Sequence, residues 1–130
     1  MISITDFGYN FATLKNKPDC FFQISFDDVD NDVFEDELDR KPLDAEKSLI
    51  ENKYHMLSDE QAKQISDFYK NVCNDVELII CQCEHGQSRS AAIAAAFLEY
   101  REKSGITIFA DDNYFPNKVV FRKVLGCLNN

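Results

Sequence analysis

The chain has 130 residues, 45% of them hydrophobic and 28% charged, with eleven Phe and no Trp, which is the balance of a folded globular protein. One domain spanning 1–130 is expected at that length, able to bury roughly two thirds of its unfolded surface. A net charge of −9 and a pI ≈ 4.6 argue against nucleic acid and anionic membranes as partners, because both are bound through Lys and Arg.

No stretch approaches the roughly 20 apolar residues of a membrane span. An anionic substrate must therefore be drawn in by a local positive pocket against the field of the whole molecule. The five cysteines are an odd count, so at least one thiol is free. The opening Met1-Ile2-Ser3-Ile4-Thr5-Asp6 has neither a basic leader nor a signal-peptide apolar run, which predicts a reducing, cytoplasmic setting.

Ile2-Ser3-Ile4 alternates and predicts an edge strand, and Asp6–Asp19, with Gly8, Asn10, Asn16 and Pro18, reads as a turn or short helix. In Phe21–Phe26 the side chains of Phe22, Ile24 and Phe26 share one side, the period of a strand with one buried face, and carboxylates follow it in Asp27-Asp28-Val29-Asp30. The stretch of about 31–57 is dense in charge, is broken by Pro42, and holds Phe34, Leu38, Leu43, Leu49 and Ile50 too far apart for a core element. It is read as a solvated insertion, with a lid beside a site as the alternative.

Ser58-Asp59-Glu60-Gln61 has the pattern of a capping box, and Ala62, Ile65, Phe68, Tyr69 and Val72 follow at helical spacing, predicting a helix of about 14 residues. Val76–Cys81 is a nearly continuous apolar run, expected as a central strand buried on both faces. Ala91–Lys103 predicts a helix whose alanines allow close packing on a sheet, with Gly105 as its stop. After Ile106–Phe109 and the polar Asp111-Asp112-Asn113, Pro116 opens a helix in which Val120, Phe121, Val124 and Leu125 share a face. Strands alternating with helices imply an α/β domain with a central, mostly parallel sheet flanked by helices.

The chemistry lies in Cys81-Gln82-Cys83-Glu84-His85-Gly86-Gln87-Ser88-Arg89-Ser90, between a strand and a helix. A loop from Glu84 through His85, Gly86, Gln87 and Ser88 to Arg89 that runs into a helix turns its backbone N–H groups toward one point, a nest for an anion. Gly86 permits the turn. Arg89 can set a planar fork of donors against two oxygens, which a lysine cannot. The same positive surroundings lower the pKa of a thiol at the base of the loop, which makes Cys83 a nucleophile, and Ser90 can donate a hydrogen bond to its sulfur.

Cys83-x5-Arg89-Ser90 in this setting resembles the signature of the cysteine-dependent protein tyrosine phosphatase superfamily, in particular its compact, dual-specificity-like microbial and viral members. Ile2–Asp6, Phe26-Asp27-Asp28 and Tyr114-x-Pro116-Asn117-x-x-Val120 are similar to segments of those small enzymes, so the likeness spans most of the chain except 31–57. It implies a phosphatase-type strand, phosphate loop and helix, and a two-step phosphoryl transfer. Cys83 attacks phosphorus while Arg89 and the loop amides hold the equatorial oxygens, and no metal or cofactor takes part.

The resemblance also implies an aspartate as general acid after the strand that precedes the capped helix. Asp28 stands there, with Asp27 and Asp30 as rivals. The implied partner is a phosphorylated protein or a small phosphate ester. Phosphotyrosine comes first, with phosphoserine and phosphothreonine beside it, and a phosphoinositide, a nucleotide or an RNA 5′ end as alternatives; a monomer is assumed. Where the superfamily commonly has histidine before the nucleophile this chain has Gln82, so Cys83 is expected to have a higher pKa than in a histidine-bearing relative.

Other readings of the same residues stand beside these. Cys81-x-Cys83-x-His85 can be read as a metal cluster, though the spacing is tight and a fourth ligand is lacking. Cys81 is read as a core thiol, and an oxidative disulfide with Cys83 meets disulfide geometry poorly. Cys20, Cys73 and Cys127 are read as packing residues, and His55 and His85 as surface residues. A module that docks phosphorylated partners without turnover is the reading from another class.

Overall fold

The structure, a computed structural model, describes residues 1–29 and 55–130. Most of the expected insertion, and with it Asp30, lies outside the described residues. Alternation along two short extended stretches decides the sheet: β1 (Ile2–Thr5) and β2 (Phe22–Ser25) run parallel, in register from Ile2 opposite Phe22 to Thr5 opposite Ser25. On the other side of β1, β3 (Cys81–Gln82) pairs in parallel with Ile2 and Ser3, giving the order β2-β1-β3.

Ile2-Ser3-Ile4, expected at an edge, is therefore the middle strand of the described sheet. Ser3 is buried in this strand, and the Gln82 side-chain amide donates to its hydroxyl at 2.9 Å. A polar side chain is tolerated in a buried strand when its hydrogen bond is made there.

Val76–Cys81, expected as a fully buried central strand, is corrected as well. Only Cys81 of that run is in a strand, β3 has one partner among the described residues, and Leu78 and Ile80 are 75% and 47% exposed. The register explains this. Ile2 lies opposite Cys81, so 76–79 run past the start of β1, and the last bond of the approach is from Ile2 N–H to the Ile80 carbonyl at 2.8 Å.

α1 (Asp59–Val72) begins at the expected capping box: the Gln61 N–H donates to Ser58 Oγ at 3.1 Å, and the Ser58 N–H donates to Gln61 Oε1 at 3.0 Å. α2 (Arg89–Glu102) ends at Lys103, which takes the left-handed conformation at φ 57°. Gly105, expected as the stop, has another function. A Cβ there would stand 2.7 Å from the Ala95 carbonyl oxygen and 2.9 Å from Glu99 Cβ, so the missing side chain lets the chain pass close over α2. The short α3 (Ile106–Phe109) follows, and α4 (Lys118–Leu128) starts after Pro116 with Asn117 as its cap.

Ile2, Ile4, Ile24 and Phe26 form one core with Ala62 and Ile65 of α1, Ala92, Ile93, Ala96 and Phe97 of α2, and Val120, Val124 and Leu128 of α4. α1 and α2 lie against this face of the sheet and α4 packs on α1 and α2, so the core is shared by strands and helices in an α/β arrangement. The other face, bearing Ser3, Gln23 and Gln82, meets the loop after β1, where Gln23 Nε2 donates to the Ala12 carbonyl at 3.1 Å. Among the described residues no helix is long and apolar enough to cross a membrane.

Two glycines should respond oppositely to the same change. Gly105→Ala should destabilise the fold by about 1–3 kcal/mol, because backbone lies where the methyl must go. Gly126→Ala, exposed in α4 with nothing within 4 Å of the new Cβ, should stabilise it by roughly 0.5–1 kcal/mol. Urea unfolding of the two variants beside the parent chain checks both signs.

Candidate active site

All three strands run parallel, so their C-terminal ends lie on one side of the sheet. That is where open α/β sheets hold their ligands. Asp6 follows β1, Asp27 and Asp28 follow β2, and Cys83 follows β3. Gly86 turns the loop after Cys83 at φ +69°, a conformation in which a side chain is strained although nothing lies within 4 Å of a new Cβ. The loop is tied from outside by the Phe115 N–H on the Gln87 carbonyl at 2.8 Å and the Asn117 N–H on the Ser88 carbonyl at 3.2 Å. Its exposed members are Glu84, His85 and Gln87.

Ser88 is the N-cap of α2 but makes no side-chain cap bond there. Its hydroxyl instead donates to Asp28 Oδ1 at 2.7 Å, which leaves the first amides of α2 without a side-chain cap.

Cys83 Sγ lies 3.2 Å from Ser90 Oγ, the pairing expected from the sequence. Burial alone pushes the thiol up. Hydrogen bonds from the Ser90 hydroxyl and from the amides of Ser90 and Gly86, together with the charge of Arg89, outweigh that and hold Cys83 below the ordinary thiol value. Cys81, two residues earlier, lacks these donors, and burial pushes it up to about 12. The two neighbouring thiols thus differ sharply, and both are free. The Gln82 side-chain amide donates to Ser3 Oγ on the neighbouring strand at 2.9 Å, and Gln82 is not among the groups that lower the Cys83 pKa. Among the described residues, no three His, Cys, Asp or Glu side chains converge as metal ligands.

Arg89 is 4% exposed. Its Nη1 donates to the Phe26 carbonyl at 2.8 Å and pairs with Asp6 Oδ1 at 2.6 Å. Its Nε is buried and, among the described residues, has no partner. A buried cationic donor left unanswered is costly, and an anion beside the loop would answer it from the guanidinium edge that Nη1 does not use.

Asp28 and Asp27, rivals in the sequence, are separated by their partners. Asp28 Oδ1 accepts from Ser88 and, at 2.9 Å, from Asn117 Nδ2, which sets it against the loop. The Asp27 carboxylate is occupied by the backbone amides of Phe7 at 3.0 Å and His55 at 3.3 Å, and the Phe7 ring stacks on His55 with centroids 3.6 Å apart.

Asp6 and Asn117 are the members that sequence reasoning did not assign. The position of Asp6 directly after a predicted strand was the available signal, since acidic residues at strand ends face the ligand side of a parallel sheet. Asp6 also lines a cleft of ≈ 390 Å³ with Tyr9, Asn10, Gln82, Cys83 and Glu84, large enough for a small organic group.

Two outcomes test this geometry. Ser90→Ala should move the pH midpoint of Cys83 alkylation by iodoacetamide upward, because a donor to the thiolate is lost. Asp6→Ala should lower stability in urea unfolding by about 1–3 kcal/mol, because the buried Arg89 guanidinium loses its carboxylate partner. No family model, no curated protein and no solved structure matches this chain.

Proposed function

We propose that the protein is a phosphatase that hydrolyses phosphate monoesters through a cysteinyl-phosphate intermediate, without a metal, on a phosphatase-type strand, phosphate loop and helix of the cysteine-dependent protein tyrosine phosphatase superfamily. The observation that carries the reading is the buried Nε of Arg89, without a partner among the described residues, beside a thiol held below its ordinary pKa. A buried guanidinium edge asks for a planar pair of oxygens, and a thiolate asks for an electrophile. A phosphate monoester offers both on one atom.

In the first step the Cys83 thiolate forms an S–P bond as the P–O bond to the leaving group breaks. Arg89 and the loop amides stabilise the three equatorial oxygens, and Asp28 gives its proton to the departing oxygen. In the second step water attacks phosphorus, Asp28 takes a proton from it, the S–P bond breaks and inorganic phosphate leaves. Ser90, hydrogen-bonded to Sγ, favours departure of the sulfur as thiolate. The cleft beside Cys83 gives the leaving group a place, phosphotyrosine first among substrates, with phosphoserine and phosphothreonine beside it. Docking without turnover is disfavoured by the activated thiol, which binding alone does not require.

Purified, reduced protein should release phosphate from p-nitrophenyl phosphate, and Cys83→Ser should abolish release. An inert parent chain that still binds phosphate would favour the docking module. Arg89→Lys should lose most activity, since a point charge cannot make the paired bonds. The depressed Cys83 pKa places the ascending limb of kcat/KM below the range of an ordinary thiol, and Ser90→Ala should carry that limb to higher pH. Asp28→Asn should remove the descending limb.

A further inference from the structure

Asn117 is 1% exposed, and its side chain is engaged at every position. Oδ1 accepts from the amides of Val119 and Val120 at 3.0 and 3.1 Å, capping α4. Nδ2 donates to Asp28 Oδ1 at 2.9 Å and to the Val29 carbonyl at 3.0 Å. The backbone N–H reaches the Ser88 carbonyl at 3.2 Å. One residue therefore ties together the segment after β2, the end of the loop around Cys83 and the start of α4.

Capping alone does not account for asparagine here. A cap needs one acceptor, which serine or aspartate supplies equally well. What they lack is the pair of N–H donors on the far side of the same planar group. Those donors are spent on an exposed aspartate and on the backbone next to it.

Ser88 Oγ and Asn117 Nδ2 both meet Oδ1 of Asp28, and among the described residues Oδ2 has no partner. A carboxyl group pinned through one oxygen is fixed in rotation, and its proton is left to the other.

We propose that Asn117 is the positioning residue for Asp28: with Ser88 it pins Oδ1, so that Oδ2 faces the leaving oxygen and carries the proton. The inference rests on the phosphatase reading above. It assigns Asn117 no contact with substrate, only control over where the acid stands.

Asn117→Ser keeps a cap acceptor and removes both donors. On phenyl phosphate, whose leaving group needs the proton, kcat should fall about 10- to 100-fold. On p-nitrophenyl phosphate, whose leaving group needs it little, the loss should stay within about 3-fold, with inhibition by inorganic phosphate unchanged. Added to Asp28→Asn, the same change should cost no more than about 2-fold, because the acid it positions is already gone. Equal losses on both esters, or a full further loss in the Asp28→Asn background, would overturn the inference.

If Asn117→Ser does not fold, Asn117→Asp keeps both size and cap. A second carboxylate beside Asp28 disfavours its ionisation, so the Asp28 carboxyl followed by 13C NMR should titrate at higher pH. The descending limb of the rate profile should move with it. An unmoved Asp28 titration would sink the proposal. An inert parent chain counts against the phosphatase reading alone, and the NMR titration then decides whether Asn117 governs Asp28.

Discussion

The guanidinium of Arg89 is buried, and a buried cation sets conditions on everything around it. Its charge is met by Asp6 at the end of β1, and one of its N–H groups by the Phe26 carbonyl at the end of β2, while its own backbone begins α2 just beyond β3. The three strands of the sheet are thereby held together at one end by a single side chain. The Asp6 side chain is 37% exposed, so the pair is half-buried; removing it would still leave the buried guanidinium without its carboxylate, a larger penalty than the loss of a fully exposed ion pair. Among the described residues its Nε has no partner, so the same side chain that clamps the strand ends keeps one donor uncommitted.

The same economy of hydrogen bonds explains why Cys83 and Cys81 diverge. Both belong to the partly buried rim of one core, two residues apart on one strand end. Desolvation raises both thiols, and only Cys83 faces the donors that reverse it: the Ser90 hydroxyl and the amides of Ser90 and Gly86, with the Arg89 charge beyond them. Ser88 does not cap α2 with its side chain because that hydroxyl is engaged with Asp28. The helix start is left electrostatically open toward the loop, and the acid segment is fastened to it, by one substitution of partners.

Local periodicity made much of the fold legible. The capping box at Ser58–Gln61 and the spacing of Ala62, Ile65 and Tyr69 specify α1 without reference to the rest of the chain, and α2 and α4 follow their small and apolar faces in the same way. The strands were harder to place. Ile2–Thr5 is four residues long and its alternation is that of an edge, yet it lies in the middle because β2 and β3 pair with its two sides, with Ser3 satisfied by Gln82. Val76–Ile80 has the apolar content of a buried strand and is not one, because pairing begins only at Cys81. Strand existence is a local property, but strand order and register depend on which distant residues answer the backbone and the buried polar groups.

The sequence by itself determined the loop: Cys83, Gly86, Ser88, Arg89 and Ser90 lie within eight consecutive positions, and their spacing dictates a turn, a helix start and a thiol at its base whatever lies elsewhere. Tertiary structure alone decided which carboxylates attend it. Asp27 and Asp28 are adjacent rivals in sequence, and their surroundings separate them because one meets the amides of Phe7 and His55 while the other meets Ser88 and Asn117. Asp6 reaches Arg89 across 83 positions of chain, and Asn117 reaches Asp28 across 89. Pairings at that separation carry no periodic signature. They exist because parallel strands bring their C-terminal ends to one side, where a buried cation and an open helix start must be answered.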